Sequence, residues 1–245
     1  MNARPFICFV LHVCLLIGLG ACKAPITKPV MVKTVRMERP VTTISAPHSS
    51  PREIPGELST LYQGPAGLTG WISYNPRGKD WRYAGKALWT KSASWIGRDV
   101  HLPERSAVEF TLSNPGLIEA FFVGLYTHVP LKVTYSPVYH VANYYTLGIF
   151  RGTLLFNKLD AEGHDKNLGE TPNLYFYPRP EVRVKILTDK RAKKFWVFFD
   201  GTQVAHWEDA EPFAGEGTGI TFQAFAGEDE LSVSEIKVSV WDGSL

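Results

Sequence analysis

Phe195-Trp196-Val197-Phe198-Phe199-Asp200-Gly201-Thr202-Gln203-Val204-Ala205-His206-Trp207 is the stretch that decides the fold. Two runs rich in aromatic and β-branched residues flank Asp200-Gly201, and Asp-Gly supplies the two positive-φ positions of a type I′ turn. The stretch predicts a β-hairpin. With a two-residue turn, Phe195, Val197, Phe199 and Val204 point one way and fill a core. Trp196, Phe198 and Trp207 then point the other way, joined by Gln203. The solvated face of an antiparallel sheet is ordinarily polar, yet here rings occupy both faces.

The same texture extends in both directions. Ala107–Leu112 and Ile118–Tyr126 read as strands around Asn114-Pro115-Gly116, and Tyr144–Phe150 and Thr153–Leu159 as a hairpin around Arg151-Gly152. Val182–Asp189 alternates, with Val182, Val184 and Ile186 on one face and Arg183 and Lys185 on the other. Gly219–Phe225 and Leu231–Trp241 follow. In the last strand the apolar phase moves from Leu231 and Val233 to Ile236, Val238 and Val240, the mark of a β-bulge. Arg98-Asp99, between apolar Ile96 and Val100, reads as an outward charged pair at a strand end. From Gly56 to Leu245 turn signals recur about every eight to twelve residues, the spacing of a sandwich or barrel. With no second linker this region reads as one domain of roughly 190 residues.

Double-sided patterning recurs in other strands. Phe122 and Tyr126 oppose Phe121, Val123 and Leu125, while Tyr144 and Phe150 oppose Tyr145, Leu147 and Ile149. Two readings stay open. Long loops such as Pro130–Asn143 and Glu162–Pro180 bury the second face as a small extra core, or that face is a groove that offers rings to a ligand. Sugars stack apolar C–H faces on such rings while polar neighbours bind their hydroxyls. The stacking candidates are Trp196, Phe198, Trp207, Phe122, Tyr126 and Tyr144, with Gln203 as the polar neighbour.

Composition narrows the alternatives. The chain has 245 residues, 44% hydrophobic and 20% charged, with formal net charge +2. That apolar content excludes disorder of the whole chain, and the near-zero charge lacks the electrostatic footprint of a nucleic-acid binder. Seven Trp, 21 Gly and 17 Pro favour a turn-rich β protein over a helical one.

The first residues read as an address. Phe6 to Leu19 is an apolar run broken only by His12, preceded by Arg4 and followed by Gly20-Ala21-Cys22. A positive tip, an apolar core and small residues describe a secretory signal peptide. Leu19-Gly20-Ala21-Cys22 resembles the bacterial lipobox, in which cleavage before cysteine leaves a thiol that carries diacylglycerol. The three cysteines are Cys8, Cys14 and Cys22, so Cys22 has no intrachain partner once residues 1–21 are removed. Lipidation accounts for that lone thiol in an oxidising compartment. Acyl chains of this kind hold a protein at a membrane at about 0.8 kcal/mol per buried methylene. Lys23 follows the cysteine where Asp would signal inner-membrane retention, which points to the outer membrane. Residues 22–55 carry Pro25, Pro29, Pro40, Pro47, Pro51 and Pro55 and no Phe, Tyr or Trp. They read as a flexible tether with an end-to-end distance of roughly 30 Å.

A second resemblance lies in Ser94-Trp95-Ile96-Gly97-Arg98-Asp99-Val100-His101-Leu102-Pro103 leading into Val108-Glu109-Phe110. It continues in Phe199-Asp200-Gly201 with Val204 and Trp207, Gly217-Thr218-Gly219-Ile220, and Leu231 to Val238 closing on Trp241-Asp242-Gly243. These residues resemble the laminin-G-like and concanavalin-A-like jelly-roll domains of secreted bacterial proteins. The resemblance implies an all-β antiparallel sandwich, and that scaffold hosts lectins, glycosidases and adhesion modules alike. Related sandwiches often carry calcium, but no Asp/Asn constellation here assigns ligands to it.

Catalytic patterns are scarce. Retaining glycosidases place two carboxyls about 5–5.5 Å apart, and the Glu-x-Asp-x-x-Glu strand of related enzymes does not occur. Glu208-Asp209-Ala210-Glu211 and Glu228-Asp229-Glu230 read as solvated turns. His101, His128, His140, His164 and His206 are too scattered for a metal motif. Gly215-x-Gly217-x-Gly219 has no helix after it and reads as a turn, and Lys190-Arg191-Ala192-Lys193-Lys194 as solvated charge. Leu61-Tyr62-Gln63-Gly64, Leu68-Thr69-Gly70-Trp71 and Gly219-Ile220-Thr221-Phe222-Gln223 are similar to 3-keto-glycoside hydrolase-like sandwiches. The Asn-Ser-Gly segment of those enzymes is missing. The sequence thus points to a lipid-anchored envelope protein with a non-catalytic module that binds a glycan or a protein partner. A sugar-active hydrolase and a purely structural lipoprotein are the alternatives, and nucleic acid is not expected as a partner.

Overall fold

The computed structural model describes residues 56–73, 81–91, 95–113, 120–129, 144–150, 152–159, 165–173, 180–211, 217–225 and 230–245. The chain divides into Met1–Ser49 and Ser50–Leu245, and the described residues all belong to the second unit. Cys22 with its signal and tether, the Asn114-Pro115-Gly116 turn and residues 130–143 lie outside them.

Among the described residues fifteen strands follow one another: β1 Glu57–Gly64, β2 Ile72–Ser73, β3 Trp81–Ala84, β4 Ala87–Thr90, β5 Trp95–Asp99, β6 Arg105–Ser113, β7 Ala120–Thr127 and β8 Tyr144–Phe150. Then come β9 Thr153–Leu159, β10 Asp165–Pro172, β11 Glu181–Asp189, β12 Lys194–Phe199, β13 Thr202–Glu208, β14 Gly219–Phe225 and β15 Leu231–Trp241. They form an eight-stranded sheet in the order β13-β12-β11-β6-β15-β4-β3, with β1 also on β15, and a seven-stranded sheet in the order β10-β9-β8-β7-β14-β5-β2. Every pairing is antiparallel. The expected two-layer sandwich is present. Within Glu162–Pro180, read from sequence as loop, lies the edge strand β10.

Alternation drives the packing. Val108, Phe110 and Leu112 of β6, Val182, Val184 and Ile186 of β11 and Phe195, Val197 and Phe199 of β12 are buried in the core. Phe121, Val123 and Leu125 of β7, Leu147 and Ile149 of β8 and Ile220 and Phe222 of β14 meet them from the other sheet. Each such side chain contributes about 1.5–3 kcal/mol on burial. The turn at Asp200-Gly201 has the two positive φ angles expected of it, 47° and 82°. The bulge in β15 lies between Ser234 and Lys237, with Glu235 at φ 50°.

A second, unforeseen bulge corrects the reading of Trp207. In the β12–β13 hairpin Phe198 pairs with Gln203, but Val197 pairs with Ala205 and Phe195 with Trp207. The extra residue Val204 reverses the parity of everything after it. Trp207 therefore faces inward, 7% exposed, and stacks on Phe156 with centroids 5.2 Å apart and planes 4° from parallel. Gly169 of β10 lies directly beneath the Trp207 indole, where a Cβ would collide with it. Tyr126 is corrected in the same way. A register shift leaves it unpaired between Leu125 and Thr127, at φ 60°, and turns its ring into the core.

Polar groups close one end of the sandwich. The Tyr126 hydroxyl donates to the Pro103 carbonyl at 2.9 Å and lies 2.7 Å from Thr188 Oγ1 of the opposite sheet. Burial pushes its phenol up to about 12. Nearby, Asp209 accepts from Tyr145 Oη at 2.6 Å and from Lys158 Nζ at 2.9 Å. The solvated turn expected at Glu208–Glu211 is thus corrected, since Asp209 is only 1% exposed. Glu211 pairs with Lys166 and lies 3.8 Å from Lys158. Arg98-Asp99 stands at the end of β5 as expected, with Asp99 exposed and Arg98 half-buried. Arg98 lies over the Tyr62 ring and donates to the Thr69 carbonyl, while Asp99 accepts from the His101 amide and the Thr218 hydroxyl.

Burial alone would raise the Asp209 carboxyl, but the hydrogen bonds from Tyr145 and Lys158 hold it below its ordinary value. A depressed folded-state pKa adds stability that is complete above about pH 4–5 and is lost as pH falls through that lower value. Asp209→Ala removes the nearest carboxylate from the buried Lys158 ammonium and is expected to destabilise by about 3–5 kcal/mol. Tyr145→Phe removes one hydrogen bond and costs about 1–3 kcal/mol. Urea unfolding of both variants at pH 7 and at pH 3 checks this, with the Asp209→Ala deficit shrinking at the lower pH.

Candidate functional site

Register, more than any single side chain, builds the site. Across the seven-stranded sheet Ile72, Gly97, Thr221, Gly124, Thr146, Asn157 and Asn167 are successive cross-strand partners, from β2 to β10. Opposed residues in antiparallel pairs project to the same side. Their chain neighbours Ile96, Phe222, Val123, Leu147 and Phe156 point into the core, so this row faces outward. It is a transverse polar track without a large side chain beyond Ile72. The adjacent outward row reads Trp95, Gln223, Phe122, Gly148, Leu155 and Glu170, and it brings rings alongside the track.

Gly148 leaves the room that the Phe122 and Phe150 rings occupy over the sheet. A Cβ there would come within 2.8 Å of the Phe150 ring and 3.1 Å of the Phe122 ring. The two rings meet edge to face at 5.5 Å, a favoured aromatic geometry. Exposure rises along the track. Thr221 is fully buried and Thr146 nearly so, Asn157 and Leu155 are half-buried, and Asn167 and Glu170 are exposed.

The hydrogen-bonding capacity of the face is incompletely used. Thr221 Oγ1, Thr127 Oγ1 and Asn157 Oδ1 are buried atoms without a hydrogen-bond partner among the described residues. Asn157 Nδ2 donates to Asp165 Oδ2 at 3.2 Å, and Thr153 Oγ1 to Glu170 Oε1 at 3.2 Å. Desolvation pushes the Asp165 carboxyl above its ordinary value. Hydroxyls, amides and carboxylates next to aromatic rings can hold a polyhydroxylated ligand by hydrogen bonds and stacking. Among the described residues no group of three His, Cys, Asp or Glu side chains could hold a metal ion.

The residues singled out from sequence separate into three environments. Phe122 and Tyr144 lie on this outer face, with Tyr144 only 5% exposed. Trp196, Phe198 and Gln203 lie on the outer face of the other sheet. Tyr126 and Trp207 are core residues. No one groove gathers all of them. Thr146, Asn157, Asn167 and Thr221 were passed over because each is an ordinary polar residue in its own strand. Only alignment across the five strands from β14 to β10 makes them a row.

No protein-family model matches this chain, and no curated protein matches it by sequence. Solved structures do match. A Bacillus subtilis protein of unknown function with a galectin-like fold aligns at TM-score 0.58 and 14% identity, over 75% of this chain and 97% of that one. A mutant of HCR/D aligns at TM-score 0.51 and 12% identity, over 76% of this chain and 49% of that one. The carbohydrate-binding module CBM66 of Bacillus subtilis aligns at TM-score 0.47 and 12% identity, over 69% and 95%. The fold is a galectin-like, jelly-roll β-sandwich.

An orphaned buried hydroxyl is a net cost in the unliganded fold. Thr221→Val, nearly the same shape without the hydroxyl, is expected to raise stability by about 1–2 kcal/mol. Chemical denaturation measures it, and a loss of stability would show that the hydroxyl is satisfied.

Proposed function

We infer that the domain binds a glycan on the outer face of its seven-stranded sheet. The observation that carries the reading is the continuous polar row from Gly97 to Asn167, beside Trp95, Phe122 and Phe150. Sugar hydroxyls meet the exposed Asn167 amide and Glu170 carboxylate at the end of the row, and the sugar's C–H face suits the Phe122 and Phe150 rings. The row rests on paired strands instead of loops, so little ordering entropy is spent on forming it. The open end at β9 and β10 gives access, and the buried end at Thr221 limits how far a ligand extends.

The same proposal includes an anchor. Cys22 is the acylated first residue of the mature chain, and residues 22–55 tether the sandwich to the outer membrane. The domain then holds a cell-envelope glycan at that surface. Support comes from the lipobox-like Leu19-Gly20-Ala21-Cys22 and from the lack of any later cysteine.

A glycan array probed with the full chain carrying Cys22→Ala is expected to give a defined set of saccharides. Asn157→Ala and Phe122→Ala should each weaken the best of these about ten-fold or more, the cost of a lost hydrogen bond or stacking contact in a desolvated site. Unchanged binding in both variants would remove this face from the account. Separately, labelled palmitate should enter the unmodified chain in cells and not its Cys22→Ala variant.

A further inference from the structure

The outer face of the eight-stranded sheet bears a second ring-lined surface, which the glycan reading above does not use. Register places Gln203, Phe198, Lys185, Glu109 and Lys237 in one transverse row and His206, Trp196, Leu187, Ala107 and Ser239 in the next. Trp196 is half-buried and held on two sides. Exposed His206 stacks on it with centroids 5.1 Å apart and planes 19° from parallel, and Trp241 meets it edge-on at 5.5 Å. Trp241 is itself fixed, 1% exposed, its indole N–H donating to the Ser244 carbonyl at 2.7 Å. A ring braced in this way offers contact area at little entropic cost.

Most cations on this face are matched one to one with carboxylates, and Glu181 and Glu235 stand on it as well. Arg183 donates to Glu109 at 2.6 Å and Lys237 to Glu57 at 2.7 Å. At the end of the face Arg105 pairs with Asp189 at 2.8 Å and Lys194 lies 3.8 Å from Glu208. Lys185 is left over. It is half-buried, among the described residues no carboxylate lies within 4 Å of its ammonium, and its contact is the Phe198 ring at 5.1 Å. Desolvation pushes its pKa down, only partly opposed by the charge of Glu109.

A half-desolvated cation against the Phe198 ring, with the fixed Trp196 indole in the neighbouring row and the exposed Gln203 amide across Phe198, selects for an anion joined to an apolar ring face. We propose that this face is a second site, which binds an acidic saccharide: a uronic acid residue stacks on Trp196 and Phe198, and its carboxylate pairs with Lys185. Gln203 and His206 meet its hydroxyls. A neutral sugar satisfies the rings and leaves Lys185 as it stands, so the charge sets the preference.

Isothermal titration of the full chain carrying Cys22→Ala tests this, with oligogalacturonate as ligand and its fully methyl-esterified form as the uncharged control. The acid form is expected to bind saturably and about ten-fold or more tightly than the ester, the scale of one charge-assisted hydrogen bond. Lys185→Gln should lose that difference, and Trp196→Phe, which keeps a ring and the fold, should weaken both oligomers. The Lys185→Gln and Trp196→Phe effects should persist when each is combined with Asn157→Ala on the opposite sheet, so that failure of this site and failure of the polar row are told apart. Absence of saturable binding, equal affinity for the two oligomers, or an undiminished preference in Lys185→Gln overturns the proposal.

Discussion

Rings stacked across the gap between the two sheets hold this structure together. Tyr145 and Phe156 of the seven-stranded sheet meet Phe195 and Trp207 of the other at centroid distances of 4.8, 4.5 and 5.2 Å. Phe110 meets Phe121 and Phe222 in the same way, at 6.0 and 5.2 Å. Large flat side chains fill the roughly 10 Å between stacked sheets with few atoms left over. Once they point inward, period-two alternation obliges their chain neighbours to point outward. Both outer faces, and so both proposed binding surfaces, are consequences of how the interior is filled.

That interior is closed at one end by polar groups that would be costly without partners from the opposite sheet. Tyr126 reaches Thr188, and Asp209 joins Tyr145 and Lys158. A buried ion pair adds little net stability over apolar packing, but removing one member is expensive. Its effect is to tie Lys158 of β9 and Tyr145 of β8 to the segment that leaves β13 at Asp209. The polar row runs through β8 and β9, so its spacing depends on this end being closed.

The two outer faces differ in chemistry. On the seven-stranded sheet small and polar residues lie in register, and glycine at 148 leaves room for the Phe122 and Phe150 rings. On the eight-stranded sheet charges and rings alternate, and Trp196 is braced by His206 and Trp241. The first face is suited to hydroxyls and the second to a ring that carries negative charge. Both are set on paired strands, which hold side chains more firmly than loops do.

Much of the strand framework was legible from sequence, since Tyr144–Phe150, Thr153–Leu159, Gly219–Phe225 and Leu231–Trp241 are strands with those bounds. In each, bulky β-branched and aromatic residues alternate strongly enough to be read locally. The strands β1 to β5 are less regular, and β10, with Lys166-Asn167-Leu168-Gly169 at its centre, carries little β propensity of its own. It is held by pairing with β9 and by Trp207 over Gly169. Sequence by itself determined an all-β, turn-rich, cysteine-free sandwich with rings on both sides of its strands. Tertiary structure alone decided which ring faces which way. One extra residue in a ladder, Val204 or Tyr126, turns every later side chain to the other face, and the partner strand that admits the extra residue lies elsewhere in the chain.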